Sequence, residues 1–196
     1  MSEENEKIQK IERSCRGGRK VSNILFVIAV VGCIITLISG IVILCMGRSF
    51  DDAFNLAVEK GAITQADRIG SFRFFVFDLP VPANLESDIP AVQAAIDDHP
   101  ASVTYGSLCL FFAVSTALLA VFMKLLNSVF KLIIEERSPF TDKVRKRVLV
   151  VMLFSSIVLC FSAGFGFGCL SGIVTWVVIT ILDYGKTLQV QSDETL

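Results

Sequence analysis

Four apolar runs, 21–46, 103–126, 148–163 and 169–182, alternate with charged segments, and no Asp, Glu or Arg lies inside any of them. A hydrocarbon layer about 30 Å thick is crossed by roughly 20 apolar helical residues, so the pattern predicts four transmembrane helices. The first run, 21–46, is long enough to span with tilt to spare and is read as a retained helix rather than a signal peptide. The second starts near Val103. Past Lys124, Leu126, Val129, Phe130 and Ile133 fall on one stripe, which predicts a helical extension to about residue 136. The third and fourth, 148–163 and 169–184, form a tight hairpin whose turn is expected within the glycine- and phenylalanine-rich segment 164–172.

The segment 47–102 between the first two spans carries local signals of its own. Residues 51–60 read as a helix, with Asp51 and Asp52 favouring its N-terminus and Gly61 its stop. Residues 71–79 are aromatic and β-branched, as a strand prefers, and Pro80 and Pro82 are expected to end them. Residues 90–98 read as a short helix led by Pro90. Phe72, Phe74, Phe75 and Phe77 are expected to rest on the outer helix ends or the membrane surface.

Charge placement orients these elements. Lys7, Lys10, Arg13, Arg16, Arg19 and Lys20 precede the first run, and Lys131, Arg137, Lys143, Arg145, Lys146 and Arg147 cluster between the second and third. The segment 47–102 is acidic instead, with Asp51, Asp52, Glu59, Asp67, Asp78, Glu86, Asp88, Asp97 and Asp98 against four basic residues. Lys and Arg stay on the cytoplasmic side during insertion. The expected fold is therefore an all-α membrane protein with four transmembrane helices, both termini inside, and one partly structured extracytoplasmic loop between helices 1 and 2. Its parts are a basic juxtamembrane segment 1–20, the first span 21–46, the loop 47–102, the second span 103–126, a basic elbow 137–147, the hairpin, and a tail 185–196. The basic residues of 1–20 are read as touching anionic lipid. In the elbow, Pro139 ends the preceding helix, while Ser138 or Thr141 caps the next one.

Composition narrows the chemistry. Of 196 residues, 53% are hydrophobic, the mean hydropathy is +0.66 and the net charge is −1. Nothing there points to direct nucleic-acid binding. The six cysteines show no CxxC spacing, and the segment 47–102 contains none of them. Neither a metal site nor another cofactor is expected. His99, the only histidine, is read as a surface residue, and Asp97, Asp98 and His99 lack the spaced acidic pattern of a calcium loop. No ionisable pair lies within a span, so no catalytic residue is expected and the chain is read as non-enzymatic. Gly32, Thr36 and Gly40 recur every four residues and form a candidate helix-packing face, within the chain or in a homo-oligomer.

Two segments carry a resemblance. The elbow reads Ser138-Pro139-Phe140-Thr141, and the tail reads Asp183-Tyr184-Gly185-Lys186-Thr187-Leu188-Gln189, then Gln191-Ser192-Asp193-Glu194-Thr195-Leu196. Together they resemble the bacterial domain-of-unknown-function family 2975, small four-helix membrane proteins with a G-x-PF elbow and a YG-x-x-LQ-x-x-SDETL tail. Arg137-Ser138 stands in the glycine region and Val190-Gln191 in place of the usual acidic pair, and the loop 47–102 is longer than the resemblance explains. The resemblance implies a bacterial plasma-membrane protein, often encoded beside a helix-turn-helix regulator. The expected function is to bind or sequester such a cytoplasmic DNA-binding regulator. The expected contact residues for partner or lipid are Pro139, Phe140, Lys143, Arg145, Lys146 and Arg147 of the elbow and Tyr184, Gly185, Leu188, Gln189, Ser192, Asp193 and Glu194 of the tail. Leu188, Val190 and the acidic end of the tail are pictured as docking on a soluble partner as a strand or peptide. The alternatives are an oligomeric small-molecule or ion transport component, supported only by the Gly32/Thr36/Gly40 face, and a structural scaffold.

Overall fold

A computed structural model describes residues 3–62, 68–74, 77–82 and 86–194. The elements are α1 (Glu3–Met46), α2 (Arg48–Glu59), β1 (Arg68–Phe74), β2 (Phe77–Pro82), α3 (Pro90–Asp98), α4 (Pro100–Glu136), α5 (Asp142–Ala163) and α6 (Phe165–Glu194). Four of these helices, α1, α4, α5 and α6, are long and apolar enough to cross a membrane. Their apolar side chains face outward in quantity: Ile28, Ile35, Val114, Ile157, Trp176 and Ile181 are all more than half exposed. A water-soluble fold buries such faces, whereas a helix surrounded by lipid does not need to. These features mark a multi-pass membrane protein.

Several boundaries differ from the expected ones. The polar N-terminal segment and the first span form one helix of 44 residues. At 1.5 Å per residue it is about 66 Å long, far more than one crossing. The α5–α6 turn falls within the expected 164–172 but takes only the single residue Gly164, with φ 98°, and the glycines that follow are helical. Such a φ is easy only for glycine. Gly168 then lets the two helices approach closely, since a Cβ there would fall 2.7 Å from Cβ of Cys160. The strand expected over 71–79 is an antiparallel β1–β2 hairpin with Phe72 opposite Leu79 and Arg73 opposite Asp78. Pro80 and Pro82 lie within β2 rather than after it. In a two-stranded sheet each strand is an edge, so a missing amide hydrogen can face outward at no cost to pairing. Phe75 and the side chains of Phe72, Phe74 and Phe77 lie outside the described residues.

The chain divides into two compact units, residues 30–117 and residues 1–29 with 118–196, and α1 and α4 contribute to both. In the 30–117 unit, α1 and α4 cross where Gly40 meets Gly106. A Cβ on Gly40 would lie 3.1 Å from the Gly106 carbonyl, and one on Gly106 would lie 2.6 Å from Cγ of Leu44. Nearby, Cys33 donates from Sγ to the Ala113 carbonyl at 3.4 Å. Gly47, with φ 49°, breaks α1 from α2. The end of α2 is a Schellman turn: Ala62 N–H donates to Ala57 O, Gly61 N–H donates to Val58 O, and Gly61 has φ 69°. Gly61 thus acts as the expected stop.

Asp51 lies in the first turn of α2, as expected, and has a second role. It is 7% exposed, and its Oδ1 accepts from the Ser102 backbone N–H of α4 at 2.7 Å. It thereby caps α4 as well. Its Oδ2 lies 3.3 Å from Nδ1 of His99. His99 is thus a half-buried partner of a buried carboxylate, not a lone surface residue. The rings of Phe50, Phe54 and Tyr105 cluster with centroids 5.1 to 6.3 Å apart, the two phenylalanines stacked and Tyr105 tilted against both.

In the other unit, α1 and α4 meet at a second glycine notch. A Cβ on Gly18 would lie 2.8 Å from Cζ of Phe130. Between α5 and α6, Ser156 Oγ lies 2.8 Å from Ser171 Oγ and 3.5 Å from Thr175 Oγ1, so the hydroxyls form a small polar cluster between two apolar helices. Interhelical hydroxyl contacts of this kind hold membrane helices together where the hydrophobic effect cannot.

Candidate functional site

The elbow and the start of the tail meet. They form a clasp between the N-terminus of α5 and the last turns of α6, built by local sequence. Helix α4 stops at Glu136, and Arg137 takes a left-handed φ of 52°. The next residue, Ser138, folds the turn: its Oγ accepts from the Phe140 N–H at 3.2 Å and donates to Gln189 Oε1 at 3.0 Å. Thr141 is the N-cap of α5, with its hydroxyl accepting from the Val144 N–H at 3.4 Å. Val144, one turn in, is 1% exposed and anchors the elbow.

Four charges lock the helices. Asp142 and Arg145 are three apart on α5, and Asp183 and Lys186 are three apart on α6, so each pair shares one helix face. In antiparallel order they cross-pair. Arg145 pairs with Asp183: Nη2 donates to Oδ2 at 2.9 Å, and Nε lies 2.6 Å from Oδ1. Lys186 Nζ reaches both carboxylate oxygens of Asp142 at 2.8 Å. The hydrogen bond and charge of Lys186 hold the Asp142 carboxyl below its usual range, in a turn that precedes the apolar run. The Glu136 carboxylate, 2.7 Å from Lys143 Nζ, raises the lysine in the same way. These groups are largely exposed and screened by solvent, so the pairs supply register more than energy.

The apolar part of the clasp is Phe140 on Gly185. Any Cβ on Gly185 would collide with Cδ1, Cε1 and Cζ of the Phe140 ring. The ring therefore sits against bare helix backbone, which only glycine provides. The elbow Phe and the tail Gly, 45 positions apart in the chain, are complementary halves of one contact.

The expected contact residues now separate. Phe140, Lys143, Arg145, Gly185 and Gln189 are engaged within the chain, and Pro139 is half-buried in the turn. Lys146 and Arg147 are exposed, and among the described residues neither has an ion pair. Tyr184 is 66% exposed and Leu188 is 47% exposed. They are one turn apart and lie on the side of α6 away from Asp183 and Lys186. The tail is helical to Glu194 rather than extended, and the side chains of Ser192, Asp193 and Glu194 lie outside the described residues. Of the small-residue stripe, only Gly40 makes a close approach. Space around Gly32 is open, and Thr36 returns its hydroxyl to the Gly32 carbonyl at 2.9 Å.

Sequence reasoning missed Ser138, Asp142, Asp183 and Lys186 as clasp members. The usable signal was the repeated acid-x-x-base spacing at both ends of a predicted hairpin. It also missed Asp51 with His99, which no spacing relates. Among the described residues, no three His, Cys, Asp or Glu side chains converge as a metal site would require.

Arg137 allows a direct check of the turn. A non-glycine residue in the left-handed region costs about 1–2 kcal/mol, partly offset by the lower entropy of its unfolded state. Arg137→Gly is expected to raise stability by about 0.5–1 kcal/mol, read as a higher unfolding midpoint of the full chain in detergent. An unchanged or lower midpoint would mean that the Arg137 side chain contributes as much as its backbone costs.

No family model, curated protein or solved structure matches the chain.

Proposed function

We propose that this chain is a non-enzymatic integral membrane protein of the bacterial plasma membrane, with both termini cytoplasmic, that holds a soluble helix-turn-helix regulator at its elbow and last helix. The observation that carries this reading is the clasp. It fixes the last turns of α6 beyond their apolar run, so that Tyr184 and Leu188 stand exposed on a held helix. Lys146 and Arg147 remain available nearby on α5. A helix presenting one aromatic and one aliphatic anchor a turn apart suits a groove on a partner. This replaces extended docking with helical docking and leaves the proposed partner class unchanged.

Charge asymmetry supports the orientation, because the clasp lies among the basic segments. The tail and elbow motifs support the partner class by resemblance. The φ of Arg137 adds to that support: the one left-handed non-glycine residue in the described chain stands where the resembled motif has glycine.

The test is crosslinking co-purification from native membranes with the full chain, the double variant Tyr184→Ala/Leu188→Ala, and a chain ending at Lys186. The full chain should capture a DNA-binding regulator, and both altered chains should capture at least about tenfold less, the effect of losing one anchor pair. Equal capture by all three would move the contact to Lys146 and Arg147. Absence of any soluble partner from all three would refute the proposal.

A further inference from the structure

In the unit formed by residues 1–29 and 118–196, a cleft opens between α1 and α4. It is lined by Arg16, Arg19, Lys20, Asn23 and Ile24 of α1 and by Asn127 of α4. Its position follows from the Gly18 notch beside it, where the Phe130 ring sits against bare backbone and brings the two helices together. Asn127 Nδ2 donates to Asn23 Oδ1 across the cleft at 3.4 Å, leaving further amide hydrogens for an acceptor. Arg16 is tied to Glu12, one turn back. Arg19 and Lys20 are exposed, and among the described residues neither has an ion pair. Lys124 lies one turn from Asn127 with its Nζ 5.3 Å from the centroid of the Phe26 ring, adding positive charge on the apolar side.

The cleft lies where α1 changes from polar to apolar. Val21, Ile24, Leu25 and Ile28 follow at once and are all exposed. A ligand with an anionic oxygen cluster and an attached hydrocarbon chain would satisfy both halves. We propose that this cleft binds the phosphate headgroup of an anionic phospholipid. Arg19 and Lys20 neutralise the charge, the Asn23–Asn127 pair donates to phosphate or headgroup oxygens, and the acyl chains lie along Ile24 and Ile28. A free phosphate ion would use the same donors but would leave the apolar flank unused, so the commitment is to the lipid. This site does not depend on the clasp or on any regulator.

Native mass spectrometry of the full chain in detergent tests it, with phosphatidylglycerol and phosphatidylethanolamine titrated separately. Phosphatidylglycerol should be retained preferentially, and Arg19→Gln/Lys20→Gln should weaken that retention by about tenfold. Asn23→Ala/Asn127→Ala changes no charge. It should still weaken retention about threefold, since charge-assisted donors are lost; it also decides the matter if the charge variant folds poorly. Arg48→Gln/Lys60→Gln in the segment 47–102, both exposed, should leave retention unchanged. An equal loss with that variant, or none with the asparagine variant, would show diffuse surface attraction and overturn the site. Displacement of the lipid by excess inorganic phosphate would make it a soluble-anion site and overturn the lipid assignment.

Discussion

Gly185→Ala is expected to destabilise the protein, although helix propensity alone favours the change by about 1 kcal/mol. The glycine is within α6, where alanine is the better helix former. The new methyl would occupy the space of the Phe140 ring. The ring can yield only by leaving the helix surface, and it belongs to a turn pinned by Ser138 to Gln189 and by Thr141 to Val144. Overpacking of this kind costs about 1–3 kcal/mol, so the net effect is a loss of up to about 2 kcal/mol. Thermal unfolding of the full chain in detergent reads it. The decisive comparison is the double variant Gly185→Ala/Phe140→Ala. Without the ring the three atoms nearest the methyl are gone, and the alanine should then stabilise relative to Phe140→Ala alone. A coupling above about 1 kcal/mol between the two sites marks direct contact. Additive effects would mean that the ring and the glycine do not meet in solution. Under the proposed function, Gly185→Ala should also reduce regulator capture without touching Tyr184 or Leu188, because the clasp holds the helix that presents them.

Asp51→Ala is expected to cost about 2 kcal/mol. The carboxylate accepts from the N–H of Ser102, a residue only 1% exposed at the start of α4. The first amides of a helix have no partner within it, and the positive end of the helix dipole favours a carboxylate there. Loss of an N-terminal cap costs about 0.5–2 kcal/mol, and an unsatisfied buried donor falls at the upper end. Asp51→Asn keeps an acceptor for Ser102 and loses only the charge facing His99, so it should cost about half as much. His99→Ala should cost less still, because the histidine side chain is 35% exposed. The order Asp51→Ala, Asp51→Asn, His99→Ala is measured by unfolding midpoints. An Asp51→Ala protein as stable as the parent would exclude the cap.

What is shared by these two positions explains what could be read in advance. A four-helix membrane protein was legible because its signal is local and long: each span is a continuous apolar run, and hydrocarbon thickness sets its length without reference to any other part of the chain. The helix led by Pro90, the stop at Gly61 and the cap at Thr141 were legible for the same reason, since each is decided within about four residues. The elbow and tail stood out as motifs, but their relation did not.

Tertiary structure decided what depends on pairs distant in sequence. Phe140 with Gly185, Asp142 with Lys186, Arg145 with Asp183, and Asp51 with Ser102 and His99 are contacts between separate elements, and apart from the matched acid-x-x-base spacing on α5 and α6 no local pattern connects their positions. The same cause altered the assignment of roles. Five residues expected to face a partner are engaged within the chain, because two antiparallel helices joined by one glycine bring their charged ends together. The charges and the glycine are written in the sequence. Which of them meet, and therefore which remain free for a partner or a lipid, is a property of the packing.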